Sequence, residues 1–450
     1  MKRMKIVWFA PEITKYSSGL INHNQIFIDY LHNHPDVEEL VVVKYPLPEH
    51  GVMPPLYENI NGIRFYTPRI SIDYHDAFKS ILQVDLKFSE RLKVHLFKLA
   101  LKFKGIKRFE SEKIKKWGLI EFGLLGISSV QMPFPNPFQE EVGRCIVKLH
   151  PDIVQSHTEM CSIIGGLAKS VVKGHFSYQV LVEEEKESMP RGTISRTFWE
   201  RSEDALQWSR EHNAVDIYIA ASEFVEKRLQ ERGMNPEQIK VIHSPIILKY
   251  LTPLSKSEAK SRLGIPQNKR IILSVGRFLE RKRFIDLIPI LKTLPDDVIL
   301  YIKRSISTSD DLFPSAINQF QKEIRKHKLE KRVIINSEVL PYEKMHEIYS
   351  AADLAVFPFL YEPFGLCAAE SMALGSPVIV YNSGFLPKFI DGNGFIVEPM
   401  NFEDLREKIH LLLNDPVLAA EMGAKGPALV KQYDISVLGE KLLDIYREYL

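Results

Sequence analysis

Between Phe357 and Pro399 the chain reads FPFLYEPFGLCAAESMALGSPVIVYNSGFLPKFIDGNGFIVEP. This stretch leaves the backbone few choices. Residues 354–357, just after Asp353, form a short apolar run of the length expected for a buried parallel strand. Residues 361–365 (YEPFG) break regular structure, because Pro363 has no N–H and Gly365 tolerates dihedrals closed to other residues. Residues 366–374 are rich in Ala, Leu, Met and Glu, which favour helix. Gly375 stands where a helix C′ glycine belongs, and residues 377–381 (PVIVY) read as the next strand.

A loop that opens into a helix N-terminus is an anion site, since the first-turn N–H groups and the helix dipole both point at the ligand. Glu362 lies just before that site and Glu370 in the second turn after it. A carboxylate in each place accepts hydrogen bonds from sugar hydroxyls and repels phosphate. The pattern suits a ligand with phosphate in the middle and hydroxylated groups at both ends, which describes a nucleotide sugar.

Glu362 and Glu370, separated by seven residues inside EPFGLCAAESMALGSPVI, resemble the E-x7-E signature of the family-4 retaining glycosyltransferases. A second match follows the expected strand at residues 270–275 (RIILSV): Gly276-Arg277 and, five residues after the arginine, Lys282. In the resembled family these two cations hold the donor diphosphate. Arg277 would offer a rigid fork to phosphate oxygens and Lys282 a compact point charge. Arg281 and Arg283 add local charge.

The resemblance implies an α/β fold of the GT-B type. Two Rossmann-like domains face each other across a cleft, and a C-terminal helix crosses back to the first. A shift to Pro and Gly over residues 245–269 sets the expected boundaries. Residues 1–245 would form the acceptor-side domain, 246–434 the nucleotide-sugar domain, and 435–450 the returning helix.

In the first half, residues 4–10 (MKIVWFA) read as a buried strand, followed by a loop with Ser17, Ser18 and Gly19 and a helix over about 22–32. Strand, glycine loop and helix open a dinucleotide-type unit. The resembled family has a Gly-Gly pair here that lets the backbone approach the donor phosphates; this chain has only Gly19. Strands are expected at 39–44, 61–66, 151–157, 178–182, 216–222 and 239–244, and Gly165-Gly166-Leu167 is expected to start a helix. His157 ends the PDIVQSH strand, where ligands gather in α/β sheets, and matches a family histidine. Where the family usually places another histidine, this chain has EEEKE at 183–187. Glu183 and Glu185 are therefore candidate acceptor-side carboxylates, able to take a proton from a hydroxyl. At the crossover the family's Asn-Gly and acidic residue are replaced by His243-Ser244-Pro245, and no role is assigned there.

Residues 86–117 carry eleven Lys or Arg against three Glu, a local charge of +8. Phe88, Leu92, Leu96, Leu99 and Phe103 fall on one helical stripe. Such a basic amphipathic helix is able to lie on an anionic membrane surface, and equally to pack a core stripe beneath a solvated face. Many relatives in the resembled family reach lipid-linked acceptors this way.

Strands are also expected at 298–303 and 331–335. Asn336 lies where a family member meets the nucleotide base, largely through backbone. The backbone N–H groups of Phe364, Gly365 and Leu366 would join Arg277 and Lys282 on the diphosphate. Glu362 would position donor-sugar hydroxyls and Glu370 the ribose. Helices are expected at 342–351, 401–413, 416–431 and 435–450.

The net charge of +2 gives no reason to expect nucleic acid. Three cysteines, odd in number and without metal spacing, fit free thiols in a reducing compartment. The N-terminal apolar run is too short for a signal peptide, and no stretch of about 18 apolar residues would span a membrane. A cytoplasmic enzyme, peripheral at the membrane's inner face, is the expectation. No D-x-D clamp is present, so no metal and no cofactor are expected beyond the donor. The expected partners are a nucleotide-sugar donor and a glycan or lipid-linked acceptor. Two other readings fit the same fold: a nucleotide-sugar epimerase, and a non-catalytic partner of another transferase.

Overall fold

The computed structural model describes residues 3–9, 19–43, 57–66, 135, 137–179, 194–305 and 315–450. The first half runs β1 (Met4–Phe9), α1 (Gly19–His32), β2 (Val37–Val43), β3 (Tyr57–Ile60), β4 (Ile63–Tyr66), α2 (Pro137–Lys148), β5 (Ile153–His157), α3 (Glu159–Leu167), β6 (Gly174–Gln179), α4 (Ile194–Glu211), β7 (Ile217–Ala220), α5 (Glu223–Glu231) and β8 (Ile239–Val241). These strands form one sheet in the order β3-β4-β2-β1-β5-β6-β7-β8, parallel except for the β3–β4 edge. Alternation along β1 sends Ile6 and Trp8 to the face covered by Phe27 and Leu31 of α1. Val7 and Phe9 go to the face covered by Val142 and Ile146 of α2 and Ile164 of α3. Helices on both faces explain why β1 and β2 are nearly continuous apolar runs.

The second half runs α6 (Lys256–Arg262), β9 (Arg270–Gly276), α7 (Leu287–Thr293), β10 (Val298–Arg304), α8 (Ser315–His327), β11 (Val333–Asn336), α9 (Met345–Ala351), β12 (Leu354–Phe357), α10 (Leu366–Ala373), β13 (Val378–Tyr381), α11 (Leu386–Phe389), β14 (Gly394–Val397), α12 (Phe402–Asn414), α13 (Pro416–Gly423), α14 (Gly426–Val430) and α15 (Ile435–Arg447). Its sheet is wholly parallel, in the order β11-β10-β9-β12-β13-β14. The order reverses at β1/β5 in the first sheet and at β9/β12 in the second. Ligands of open α/β sheets bind outside the strand C-termini at such switch points. His157 ends β5, Arg277 follows β9 and Glu362 follows β12, so sheet order alone brings the expected residues to these crevices.

α15 returns to the first sheet. Tyr446 donates to the buried Gln155 of β5 at 2.7 Å, Arg447 Nε donates to Asp36 at 3.0 Å, and Tyr30 donates to Glu440 at 2.6 Å. Gly439 admits the Tyr30 ring, which a Cβ there would meet at 2.3 Å.

Four expectations are corrected. Gly165 and Gly166 end α3 rather than start a helix. Their bare Cα atoms let the His175 imidazole and Ala214 pack against it, at 2.1 and 2.6 Å from where Cβ atoms would sit. The strand expected at 61–66 is the second arm of a hairpin turned by Asn61 (φ 53°) and Gly62 (φ 85°), a pair suited to a tight two-residue turn. The strand expected from Tyr178 starts at Gly174, because its buried polar residues His175 and Ser177 hide it in a hydropathy pattern. Residues 416–431 form two helices rather than one. Gly423 and Gly426 press against the backbone oxygens of Gly375 and Met372 at the break.

Candidate active site

β9 ends in Gly276, whose φ of 153° turns the chain sharply. Arg277 follows, then a single 3-10 turn (Glu280–Lys282), then Arg283 in a left-handed conformation at φ 50°. A fork to Asp286 holds Arg283 there, with Nη2 at 2.7 Å and Nε at 3.1 Å, and Tyr381 also donates to Asp286 at 3.0 Å. The turn folds the Lys282 side chain back beneath Gly276. Its ammonium lies 3.6 Å from the centroid of Phe359 and donates to Glu362.

The loop after β12 meets this turn over several contacts. Leu360 N–H donates to Arg281 O at 2.8 Å, and Arg281 Nη1 donates to Tyr361 O at 2.8 Å while lying 3.8 Å from Glu362. Burial pushes the Glu362 carboxyl up, but Lys282, Arg281 and Arg277 outweigh it and hold the group below the usual carboxylate range. Burial pulls the Lys282 ammonium down, opposed by Glu362. Three cations thus act on one carboxylate, and the excess charge is positive. Lys282 and Glu362, expected to serve diphosphate and sugar separately, are ion-paired with each other.

Gly365 takes φ 104° before α10, and no side chain caps that helix. A Cβ on Gly365 would lie 2.2 Å from Leu386, and one on Gly384 (φ 61°) would lie 2.1 Å from Glu362 O, so both glycines are fixed by close packing. The Phe364 side chain is buried among Phe385, Phe389, Tyr433 and His243, which leaves only its backbone for a ligand. Leu366 opens the helix. This loop also docks on the first sheet: Ser222 donates to Pro363 O at 2.6 Å, and Phe224 packs edge-on against Tyr361 at 5.5 Å. His243, given no role from the sequence, joins this seam and pairs with Glu223 at 3.1 Å.

Glu370 is buried in α10 and accepts from the Tyr349 hydroxyl. Burial raises its carboxyl to about 7, with the Tyr349 and Tyr342 hydroxyls working against that rise. Asn336 ends β11, where its side chain accepts from Glu338 N–H at 3.0 Å. The tyrosine partner of Glu370, Tyr349, was not singled out in the sequence.

On the first sheet, His157 is fully buried at the end of β5, and Thr158 beside it takes φ 72°. The His157 ring stacks on Tyr178 at 5.5 Å and meets His23 edge-on at 5.6 Å. Among the described residues, none gives a hydrogen bond to the four buried ring nitrogens of His23 and His157. Burial lowers His157 to about 3 and His23 well below its ordinary value, so both are neutral at physiological pH. His23 was missed in the sequence. Its signal is a polar residue in the turn preceding the buried Ile26, Phe27 and Ile28 of α1. Gly19 is the first residue of α1. Glu183, Glu185 and the basic stretch 86–117 lie outside the described residues.

Residues 255–428 match the family model for glycosyl transferases group 1, and residues 90–250 match that for glycosyltransferase family 4. The chain belongs to the family-4 glycosyltransferases. Among curated relatives of this family, a D-inositol 3-phosphate glycosyltransferase from Streptomyces bingchenggensis is 29% identical over 255 residues, covering 52% of this chain and 53% of the relative. An alpha-maltose-1-phosphate synthase from Mycolicibacterium smegmatis is 25% identical over 252 residues, covering 52% of this chain and 64% of the relative. The chain therefore spans between about half and just under two thirds of the length of these relatives. A solved sucrose-phosphate synthase from Thermosynechococcus elongatus superposes with a TM-score of 0.69 at 18% identity, over 99% of both chains. Anabaena HepE in complex with UDP and glucose superposes at 0.66 and 16% identity, over 99% of this chain and 100% of that one. These likenesses show the GT-B fold of the family-4 glycosyltransferases, two parallel-sheet α/β domains with the returning helix. Among the described residues, no helix is long and apolar enough to cross a membrane.

Proposed function

We propose that this chain transfers a sugar from a nucleoside-diphosphate sugar to an acceptor hydroxyl, with retention of configuration and without metal. The observation that carries this reading is the pairing of Lys282 with Glu362 under Arg281 and Arg277 at the β9/β12 switch point. A site with excess positive charge beside an uncapped helix N-terminus suits a diphosphate. As the donor enters, Arg277 and Lys282 take its phosphate oxygens, with backbone N–H groups of Phe364, Gly365 and Leu366. They then stabilise the departing diphosphate. Released from Lys282, Glu362 receives sugar hydroxyls, and Glu370 receives the ribose. Attack comes from the leaving-group face in an ion-pair-like transition state, and closure of the cleft excludes water. The acceptor is a glycan or lipid-linked hydroxyl on the first domain, near His157, with Glu183 and Glu185 as candidate carboxylates from the sequence. An anionic membrane surface reached through 86–117 belongs to the same proposal.

Calorimetric titration with UDP, GDP and ADP, without metal, tests it. One nucleotide should bind, and Arg277→Ala and Glu370→Ala should each weaken it at least tenfold. Absence of binding by the wild type would favour a non-catalytic partner that keeps the fold.

A further inference from the structure

The second sheet carries a buried cation that the donor site described above does not use. β10 pairs in register with β9 and β11, so Lys303 lies between Val275 and Asn336. Its side chain is buried. The ammonium donates to Glu338 O at 2.6 Å and to Arg304 O at 3.1 Å. A lysine ammonium has three N–H donors and no acceptor. Two are taken by carbonyls and, among the described residues, neither an ion-pair partner nor a third acceptor meets it.

The strand ends around this ammonium are tied in one row. Glu338 N–H donates to Asn336 Oδ1 at 3.0 Å, which closes the turn after β11, and Ser305 N–H donates to Gly276 O at 3.0 Å, next to Arg277. On the other side of the donor loop, after β13, the rim is filled by Phe364, Phe385 and Phe389. A nucleotide with its diphosphate at Arg277 therefore has its open ground past β10 and β11, which lie about 5 and 10 Å from β9 at ordinary strand spacing. The carbonyls met there are already held by a positive charge. A base amino group would bring partly positive hydrogens to them, whereas a base carbonyl would bring an acceptor to the donor left over. Uracil has a carbonyl where cytosine has an amino group, and guanine has one where adenine has an amino group.

We propose that Lys303 is a specificity-determining residue that selects a donor base with a carbonyl edge, uracil or guanine, over its amino counterpart, cytosine or adenine. The proposal rests on the donor-site reading above and names the base class it takes. The base carbonyl accepts the third N–H in a charge-assisted hydrogen bond. The other two keep Glu338 O and Arg304 O from serving an amino group. Specificity is a difference of two affinities, and here the same ammonium attracts one base and repels the other.

The test is calorimetric titration of the wild type and Lys303→Met with two pairs, UDP against CDP and GDP against ADP. Inorganic pyrophosphate, which has no base, is measured beside them by displacement of the nucleotide that binds. In the wild type the carbonyl member of the binding pair should be about tenfold tighter than the amino member, as a hydrogen bond to a charged group gives. Lys303→Met keeps the length of the side chain and removes the charge. It should bring the two members to within about threefold of each other, mainly by weakening the carbonyl one, and leave pyrophosphate within about twofold of the wild type. A wild type that binds the amino member as well or better overturns the proposal, and that measurement needs no variant to fold. An unchanged ratio in Lys303→Met, or an equal loss for both members and pyrophosphate, makes Lys303 a structural residue and overturns it too. If the wild type binds none of the four nucleotides, the donor-site reading itself fails and the base preference falls with it.

Discussion

The ends of the two sheets treat buried polar groups differently. After β9 and β12 most of them meet a partner: Lys282 donates to Glu362, Arg281 Nη1 donates to a carbonyl and lies 3.8 Å from the same carboxylate, and Glu370 accepts from Tyr349, while Arg281 Nε and Ser371 Oγ are buried with no partner among the described residues. At the end of β5, His23 and His157 bury four ring nitrogens that have no partner among the described residues. An unsatisfied buried donor or acceptor costs about 1–3 kcal/mol, so the second arrangement does not persist for stability. The contrast teaches that the β9/β12 end is held together by its own ion pairs, whereas the β5 end is held by ring packing alone among the described residues.

The strongest way to break this comparison is to take one partner from the matched end. Lys282→Ala removes the nearest cation from the buried Glu362, leaving Arg281 at 3.8 Å, and should cost about 3 kcal/mol in urea unfolding, the lower end for a broken buried pair. Lys282→Met combined with Glu362→Leu should recover most of that loss while nucleotide binding stays absent. If Lys282→Ala unfolds like the wild type, the pair is not buried as described.

The unmatched end should respond the other way. His157→Phe and His23→Phe keep the ring volume and remove the unpaired nitrogens. Each should leave stability unchanged or raise it by about 1 kcal/mol while sugar transfer falls at least tenfold. Full activity in both variants would make the cluster ordinary core.

The smaller effect is in pH, where the two ends have opposite signs. For Glu370 the folded value of about 7 lies above the ordinary 4.5, so its contribution to stability is complete below 4.5 and is lost as pH rises through about 7. For His157 the folded value of about 3 lies below 6.5, so its contribution is present above 6.5 and is lost as pH falls toward 3. Hydrogen exchange from pH 5 to 8 should show first-sheet amides gaining protection with pH and those around α10 losing it. Nucleotide affinity should rise across the same range, because only the ionised Glu370 accepts two ribose hydroxyls. Glu370→Gln should flatten that rise.

Much of the second half was legible. The loop before α10, the C′ glycine Gly375 (φ 77°) and strands β9, β10, β12 and β13 announce themselves through apolar runs and backbone-special residues that act locally. The first half was less legible. α4 presents few apolar residues, and its described side chains bury only a narrow stripe around Ala205, Leu206 and Ser209, so its pattern resembles a solvated loop. β6 is polar because its residues satisfy each other inside: Ser156 meets His175 at 2.7 Å, and Gln179 donates to Ser177 at 2.7 Å. The Asn61-Gly62 turn carried its own signal and was passed over because the first arm, YENI, is an exposed edge without alternation.

The sequence by itself determined most strands of the second half, the helix-ending Gly375, and the Arg277, Lys282, Glu362 and Glu370 pattern, through apolar runs, dihedral preference and local motif, and the resemblance carried by that pattern implied the two-domain architecture. Only the tertiary structure decided which charge meets which. Lys282 and Glu362 are 80 residues apart, Lys303 and Glu338 are 35 apart, and His23 reaches His157 across two parallel strands. These contacts depend on β9 lying beside β12, on β10 lying beside β11, and on β1 lying beside β5. Sheet order is set by the burial of whole faces, which no local stretch of sequence encodes.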